Sequence, residues 1–258
     1  MIESLERATR VLDLFSSDCP AWTVTDVARE LGLPKTTTWE YMQSMATLGM
    51  IRRSGRRHYR LGWRAFHLGL RARSTSEISG PARAEIRGLV ERFDETMHLA
   101  SRYGRDVVYL EKLAPPAGVR VNLTRVGERL PAHCTAAGKV LLAYLSPGEI
   151  KSVFGSEELV GLTERSTGTL AALEEELVKV RDQGFAVEVE EVLEGLCGIA
   201  APVTNEHGDV AWALSMSFLE YRFETHAQIY AEALVEVAQR LSYPVLPSLG
   251  LRGASARG

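Results

Sequence analysis

Arg52, Arg53, Arg56, Arg57, Arg60 and Arg64 fall within thirteen residues, with no aspartate or glutamate among them. A cation cluster of that density attracts polyanions, although on an isolated segment it would read simply as a solvated face. Just ahead of it, Lys35, Thr36, Thr37, Glu40 and Gln43 bring donors and acceptors at helical spacing, the chemistry that reads base edges in a DNA major groove. A different set, His133, Cys134, Glu188 and Glu190, contains residue types that serve as nucleophile, acid or metal ligand. It is not arranged as any of these in sequence: there is no GxSxG, HExxH, phosphate loop or dinucleotide fingerprint, and His133, Cys134 and Glu188 follow no zinc spacing. Adjacency alone does not give His133 and Cys134 nucleophile–base geometry. The expectation is a binding protein with no catalytic residues, no metal and no cofactor.

The groups that could read DNA need a rigid frame, and the flanking sequence supplies one. Thr23-Val24-Thr25-Asp26 places a hydroxyl three residues before a carboxylate, the signature of a capped helix start. Val24, Val27, Ala28 and Leu31 then share one helical face, and Gly32-Leu33-Pro34 breaks the helix into a tight turn. A second helix begins at Lys35, with Thr38, Tyr41, Met42 and Met45 as its buried stripe, and ends at Gly49. Residues 50–61 read as a hairpin around Ser54-Gly55. Ahead of all this, Ser4 is placed to cap a first helix whose apolar face is Leu5, Ala8, Val11, Leu12 and Phe15. Three helices and a basic hairpin make a winged helix-turn-helix over residues 1–62, with the arginines along phosphates.

The whole chain has 258 residues, 45% hydrophobic and 24% charged, enough for two globular domains. Its net charge of -3 conceals an asymmetry: residues 1–80 hold 12 Lys+Arg against 8 Asp+Glu, and residues 81–258 hold 18 against 25. Only the first part therefore suits a polyanion. No apolar run approaches the roughly 20 residues of a membrane helix, and the N-terminus lacks the regions of a signal peptide, so no membrane partner and a cytoplasmic location are expected. Three cysteines, far apart, form neither a disulfide framework nor a CxxC motif.

Residues 63–80 read as a linker: a helix over 63–73, with Phe66, Leu68 and Leu70 suited to pairing two chains, then a hinge of small polar residues. A second domain over 81–245 opens with a helix carrying Ile86, Leu89, Val90 and Phe93. Strands are expected over 97–103, 107–113, 119–123, 185–189, 199–203 and 210–217, and helices over 135–145, from Pro147, over 170–183 and over 223–241. That order argues for an α+β fold with a mainly antiparallel sheet. Residues 246–258 read as a loose tail.

Along essentially the whole chain these residues resemble the IclR-type transcriptional regulators. The carrying segments are Ser4-Leu5-Glu6-Arg7-Ala8, Gly32-Leu33-Pro34-Lys35-Thr36-Thr37 and Tyr59-Arg60-Leu61-Gly62, followed by Ala136-Ala137-Gly138-Lys139, Arg181-Asp182-Gln183-Gly184-Phe185-Ala186 with Glu190-Glu191, and Gly198-Ile199-Ala200-Ala201-Pro202-Val203. The resemblance implies a winged helix, a linker helix and a GAF-like effector-binding domain, acting as a homodimer or dimer of dimers on a double-stranded DNA operator. The implied effector is a small carboxylate or an aromatic catabolite.

Carried over residue by residue, the implied effector site comprises Ala136 and Ala137, Glu188 where the family often has aspartate, Gly198 where it often has cysteine, and Ser215 and Ser217. Amides at a helix start suit an anion, and serines two apart on a strand share a face. Two departures carry expectations. Gly198 in place of a thiol implies a roomier pocket. Glu40, following Trp39 where arginine is common, is repelled by phosphate unless it accepts from cytosine N4 or pairs with a nearby arginine. The competing expectation is a DNA-binding dimer whose second domain only oligomerises and binds no ligand.

Overall fold

A computed structural model describes residues 2–75, 80–116, 124–155 and 158–242. Two compact units result, Met1–Glu77 and Ile78–Gly258.

The first unit begins with α1 (Glu3–Asp13), which Ile2 precedes without a side-chain cap. Ser4 therefore lies inside the helix rather than at its start, and Leu5 is exposed instead of joining the apolar face. Val11 does reach the core, with Ala8, Leu12 and Phe15 packed beside it. A two-residue strand, β1 (Trp22–Thr23), was not legible from periodicity. Its Trp22 indole donates to the Leu14 carbonyl at 2.8 Å, tying it to the end of α1. The expected cap of α2 (Val24–Leu31) is present, with the Thr23 hydroxyl accepting from the Asp26 amide. Gly32 ends α2 at φ 64°, a left-handed conformation that glycine adopts without a Cβ clash. The turn leads into α3 (Lys35–Thr47), whose Thr38, Met42 and Met45 are buried. β2 (Ile51–Ser54) and β3 (His58–Leu61) form the hairpin, and β3 pairs on its other edge with β1. α4 (Trp63–Thr75) follows, its start held by Arg64, which donates its amide to Gly49 and its guanidinium to Leu48.

The second unit opens with α5 (Gly80–Phe93) and is built on six antiparallel strands: β4 (Thr96–Tyr103), β5 (Asp106–Leu113), β6 (Arg129–Pro131), β7 (Ala186–Val189), β8 (Leu196–Thr204) and β9 (Val210–Leu219). Their order is β6-β5-β4-β9-β8-β7. The other helices are α6 (Ala136–Ala143), α7 (Pro147–Phe154), α8 (Leu170–Gln183) and α9 (Phe223–Leu241). An α+β fold with an antiparallel sheet is what the order of elements led one to expect. The strand expected over 119–123, hinge residues 76–79 and the tail 246–258 lie outside the described residues. β6 is an addition.

Side-chain alternation splits the core in two. Met97, Leu99, Leu214 and Met216 pack with Ile86 of α5 and Tyr230 and Leu234 of α9. Ala100, Ala200 and Ala213 turn to the opposite face, towards Val140 of α6 and Leu173 and Leu177 of α8. Small residues on that second face let α6 come close. Gly138 lets the turn just before α6 pack against its first turn, because a Cβ there would lie 2.1 Å from the Ala132 carbonyl oxygen. No helix among the described residues is long and apolar enough to cross a membrane.

Candidate functional site

In the first unit, helical geometry puts Lys35, Thr36, Trp39, Glu40 and Ser44 in water, with Thr37 and Gln43 half-buried. All five wing arginines, Arg52, Arg53, Arg56, Arg57 and Arg60, are exposed. The hairpin register sets Arg52 directly opposite Arg60. Like charges facing each other across a strand pair repel, so the wing is better stabilised with an anion lying over it. Arg53 is held differently. Its guanidinium lies 5.8 Å from the Tyr59 ring centroid, and with the Gln43 amide turned to satisfy its neighbours, the Gln43 oxygen accepts from Arg53 Nη2 at 2.7 Å and Trp39 Nε1 at 3.2 Å. Gln43 thus fastens α3 to the wing, and to face a base it would have to leave those partners. Its role as an anchor, and that of Tyr59, depends on hairpin register and was not readable from spacing.

In the second unit, cross-strand register assembles the other candidate site. Glu188 on β7 faces Gly198 on β8, which faces Ser217 on β9, while Ser215 faces Ala200 on one side and His98 of β4 on the other. The start of α6 closes over this row. All six expected residues, Ala136, Ala137, Glu188, Gly198, Ser215 and Ser217, line one cavity. Sequence reasoning missed Tyr109, Thr124, Thr135, Val192 and Leu196, which line it as well. Only Thr135 left a signal, as a cap three residues before Gly138; its hydroxyl accepts from the Gly138 amide at 3.0 Å.

The cavity measures about 20 Å³, room for one water. The roomier pocket expected from Gly198 is not found, because Glu188, one methylene longer than aspartate, fills the space. A Cβ on Gly198 would lie 3.0 Å from Glu188 Oε1 and 3.2 Å from its Cγ. Cys197 points to the other face, as expected, into the core with α5 and α9. A wider hollow of about 360 Å³ lies around Phe93, Arg222 and Tyr230, but its Arg222 is already paired with Glu95 at 2.6 Å.

Burial dominates the electrostatics. Glu188 is 4% exposed, and desolvation pushes its carboxyl up to about 8 despite a hydrogen bond from the Glu191 amide at 3.1 Å. It is therefore largely protonated at neutral pH and can donate to an anion instead of repelling it. Glu191 continues the chain to Lys139 Nζ at 2.5 Å, and Lys139 reaches Glu176 at 2.6 Å, giving the buried ammonium two carboxylates. At the cavity's other side His98 is fully buried, and desolvation, aided by Lys112, holds its imidazole down at about 3. His98 Nε2 lies 2.7 Å from Thr124 Oγ1.

The remaining reactive residue types are occupied elsewhere. His133 Nε2 meets the Val160 carbonyl at 3.2 Å, and burial raises the Cys134 thiol, so the neighbours form no thiolate–imidazole pair. Glu190 takes Arg165 at 2.7 Å and the Gly195 amide at 2.7 Å. Among the described residues no three His, Cys, Asp or Glu side chains are grouped to hold a metal ion.

Comparison with known proteins gives a family match in each part of the chain. Residues 4–55 match the model of the IclR helix-turn-helix domain, and residues 71–243 match that of the bacterial transcriptional regulator IclR C-terminal. The chain is 30% identical over 250 residues to the HTH-type transcriptional regulator XynR of Escherichia coli (strain K12), covering 95% of this chain and 99% of that one. It is 34% identical over 221 residues to KdgR of the same organism, covering 85% and 84%. Among solved structures it is similar to an IclR homolog from Microbacterium hydrocarbonoxydans complexed with 4-hydroxybenzoate, with a TM-score of 0.73, 28% identity and 92% and 96% coverage.

Proposed function

The chain belongs to the IclR family of bacterial DNA-binding transcriptional regulators, and from that premise we propose that a small effector in the cavity under α6 controls its hold on an operator. The observation that carries this reading is the convergence of Ala136, Ala137, Glu188, Gly198, Ser215 and Ser217 on one cavity with a protonated carboxyl in its wall. The effector class is a small carboxylate or a hydroxylated aromatic acid. Ser215 and Ser217 supply hydroxyls, and the first-turn amides of α6 have no partners within their own helix. Glu188 donates a proton towards a carboxylate. The relative complexed with 4-hydroxybenzoate supports an aromatic acid as the first probe.

A cavity the size of one water implies that the effector favours an opened arrangement. It can shift the protein only by the difference between its affinities for the two arrangements. DNA is held by residues 1–62, with Lys35, Thr36, Thr37 and Glu40 towards bases or nearby phosphates, Gln43 bracing α3, and Arg52, Arg53, Arg56, Arg57 and Arg60 along the backbone. The linker over 63–80 joins this module to the effector domain. Trp63, Phe66, Leu68 and Leu70 are exposed on α4, which suits a homodimer or dimer of dimers. A cytoplasmic location follows from the DNA partner, and none of the chemistry described calls for an enzyme, a cofactor or a metal.

The small cavity also favours a second reading, in which the domain only oligomerises. A thermal-shift panel of keto acids, hydroxy acids and hydroxybenzoates separates the two. Ligand at a hundred times its dissociation constant stabilises the folded chain by about 2.7 kcal/mol, a clear rise in Tm. A rise abolished by Ser215→Ala supports the effector reading, and no rise across the panel supports the oligomerising one.

A further inference from the structure

Glu40 sits on the exposed face of α3 with Lys35, Thr36 and Trp39. An uncompensated carboxylate there opposes every phosphate that the wing attracts. Sequence alone left two ways to offset it: an arginine within the protein or a donor on a base. Among the described residues the Glu40 side chain makes no ion pair and no hydrogen bond. Its neighbours one helical turn away, Thr36, Thr37, Gln43 and Ser44, include no cation. The wing arginine that reaches α3, Arg53, is taken up by the Gln43 oxygen and the Tyr59 ring. The Trp39 indole N–H goes to the same Gln43 oxygen, fixing an aromatic plate beside Glu40 in the sequence.

We propose that Glu40 specifies a cytosine in the major groove of the operator. This rests on the reading of α3 as the helix that enters the groove. A carboxylate only accepts hydrogen bonds, and guanine and thymine show it acceptors alone on that edge. Adenine offers N6–H but flanks it with N7 on one side and thymine O4 on the other. Cytosine N4–H has only a C–H edge on its outer side, so it is the donor a carboxylate meets with least repulsion. The negative charge then lowers affinity for DNA in general and raises discrimination at one base pair.

Selection of duplexes from a random library by the full chain, in parallel for the wild type, Glu40→Ala and Glu40→Gln, tests this. Circular dichroism confirms that each variant is folded. The wild type is expected to enrich a motif with a cytosine preferred about tenfold at one position. Glu40→Ala loses that preference while binding unselected DNA more tightly. Glu40→Gln moves it to adenine, whose N6 and N7 match an amide. If wild type and Glu40→Ala enrich the same motif at every position, the proposal is overturned and the groove-binding helix stands. If the wild type enriches no motif, both fall.

Discussion

The two units handle charge in opposite ways. On the hairpin of the first, five arginines lie in water, two of them face to face across the strands, and no carboxylate among the described residues is set against them. In the second, Lys139 is enclosed between Glu176 and Glu191, and Glu188 is buried so deeply that it keeps its proton at neutral pH. An exposed charge without an internal partner is available to an external one. A buried charge is either matched inside the fold or suppressed. The first arrangement suits a long polyanion, and the second suits one small ligand that must compete with an established network.

Breaking the buried side of this contrast has the largest expected effect. Lys139→Met leaves Glu191 and Glu176 without their cation, and urea unfolding should report a loss of about 3–5 kcal/mol. On the exposed side, replacing Arg56 and Arg57 together with Ala should leave stability nearly unchanged. Fluorescence anisotropy should instead show weaker binding to all duplexes and a salt slope smaller by about 1.8. Gly198→Ala brings a methyl to 3.0 Å from Glu188 Oε1, and overpacking of that kind should cost roughly 1–3 kcal/mol in the same urea titration.

The remaining test is a matter of pH. Glu188 holds its proton up to about 8 in the folded chain against an ordinary 4.5, so the folded state binds more protons across that window. Stability therefore falls as pH rises from about 4.5 to 8. Glu188→Gln should flatten that fall in a Tm-against-pH series and leave the acid end unchanged.

Local chemistry was legible wherever it was complete within a few residues. The Thr23 cap, the Gly32 turn and the buried stripe of Thr38, Met42 and Met45 are all set by neighbours in the chain. Failures arose where distant segments decide. Ser4 looked like a cap, but the backbone turns helical one residue earlier. Gln43 looked free for DNA because nothing in its spacing reveals that the wing folds back to bring Arg53 and Tyr59 to it. The contribution of Gly198 was misjudged because its space is filled from another strand, by Glu188. Tyr109 reaches the cavity wall from β5, whose pairing with β4 shifts register at Leu99/Ala100, and no periodicity encodes that shift.

Anisotropy of a labelled duplex from the selection, titrated with the full chain at two salt concentrations with and without 4-hydroxybenzoate and a panel of small keto and hydroxy acids, tests the central claim most directly. The account predicts affinity that falls steeply with salt and changes with at least one acid, a change that Ser215→Ala removes. Operator affinity indifferent to every acid in the panel would contradict it.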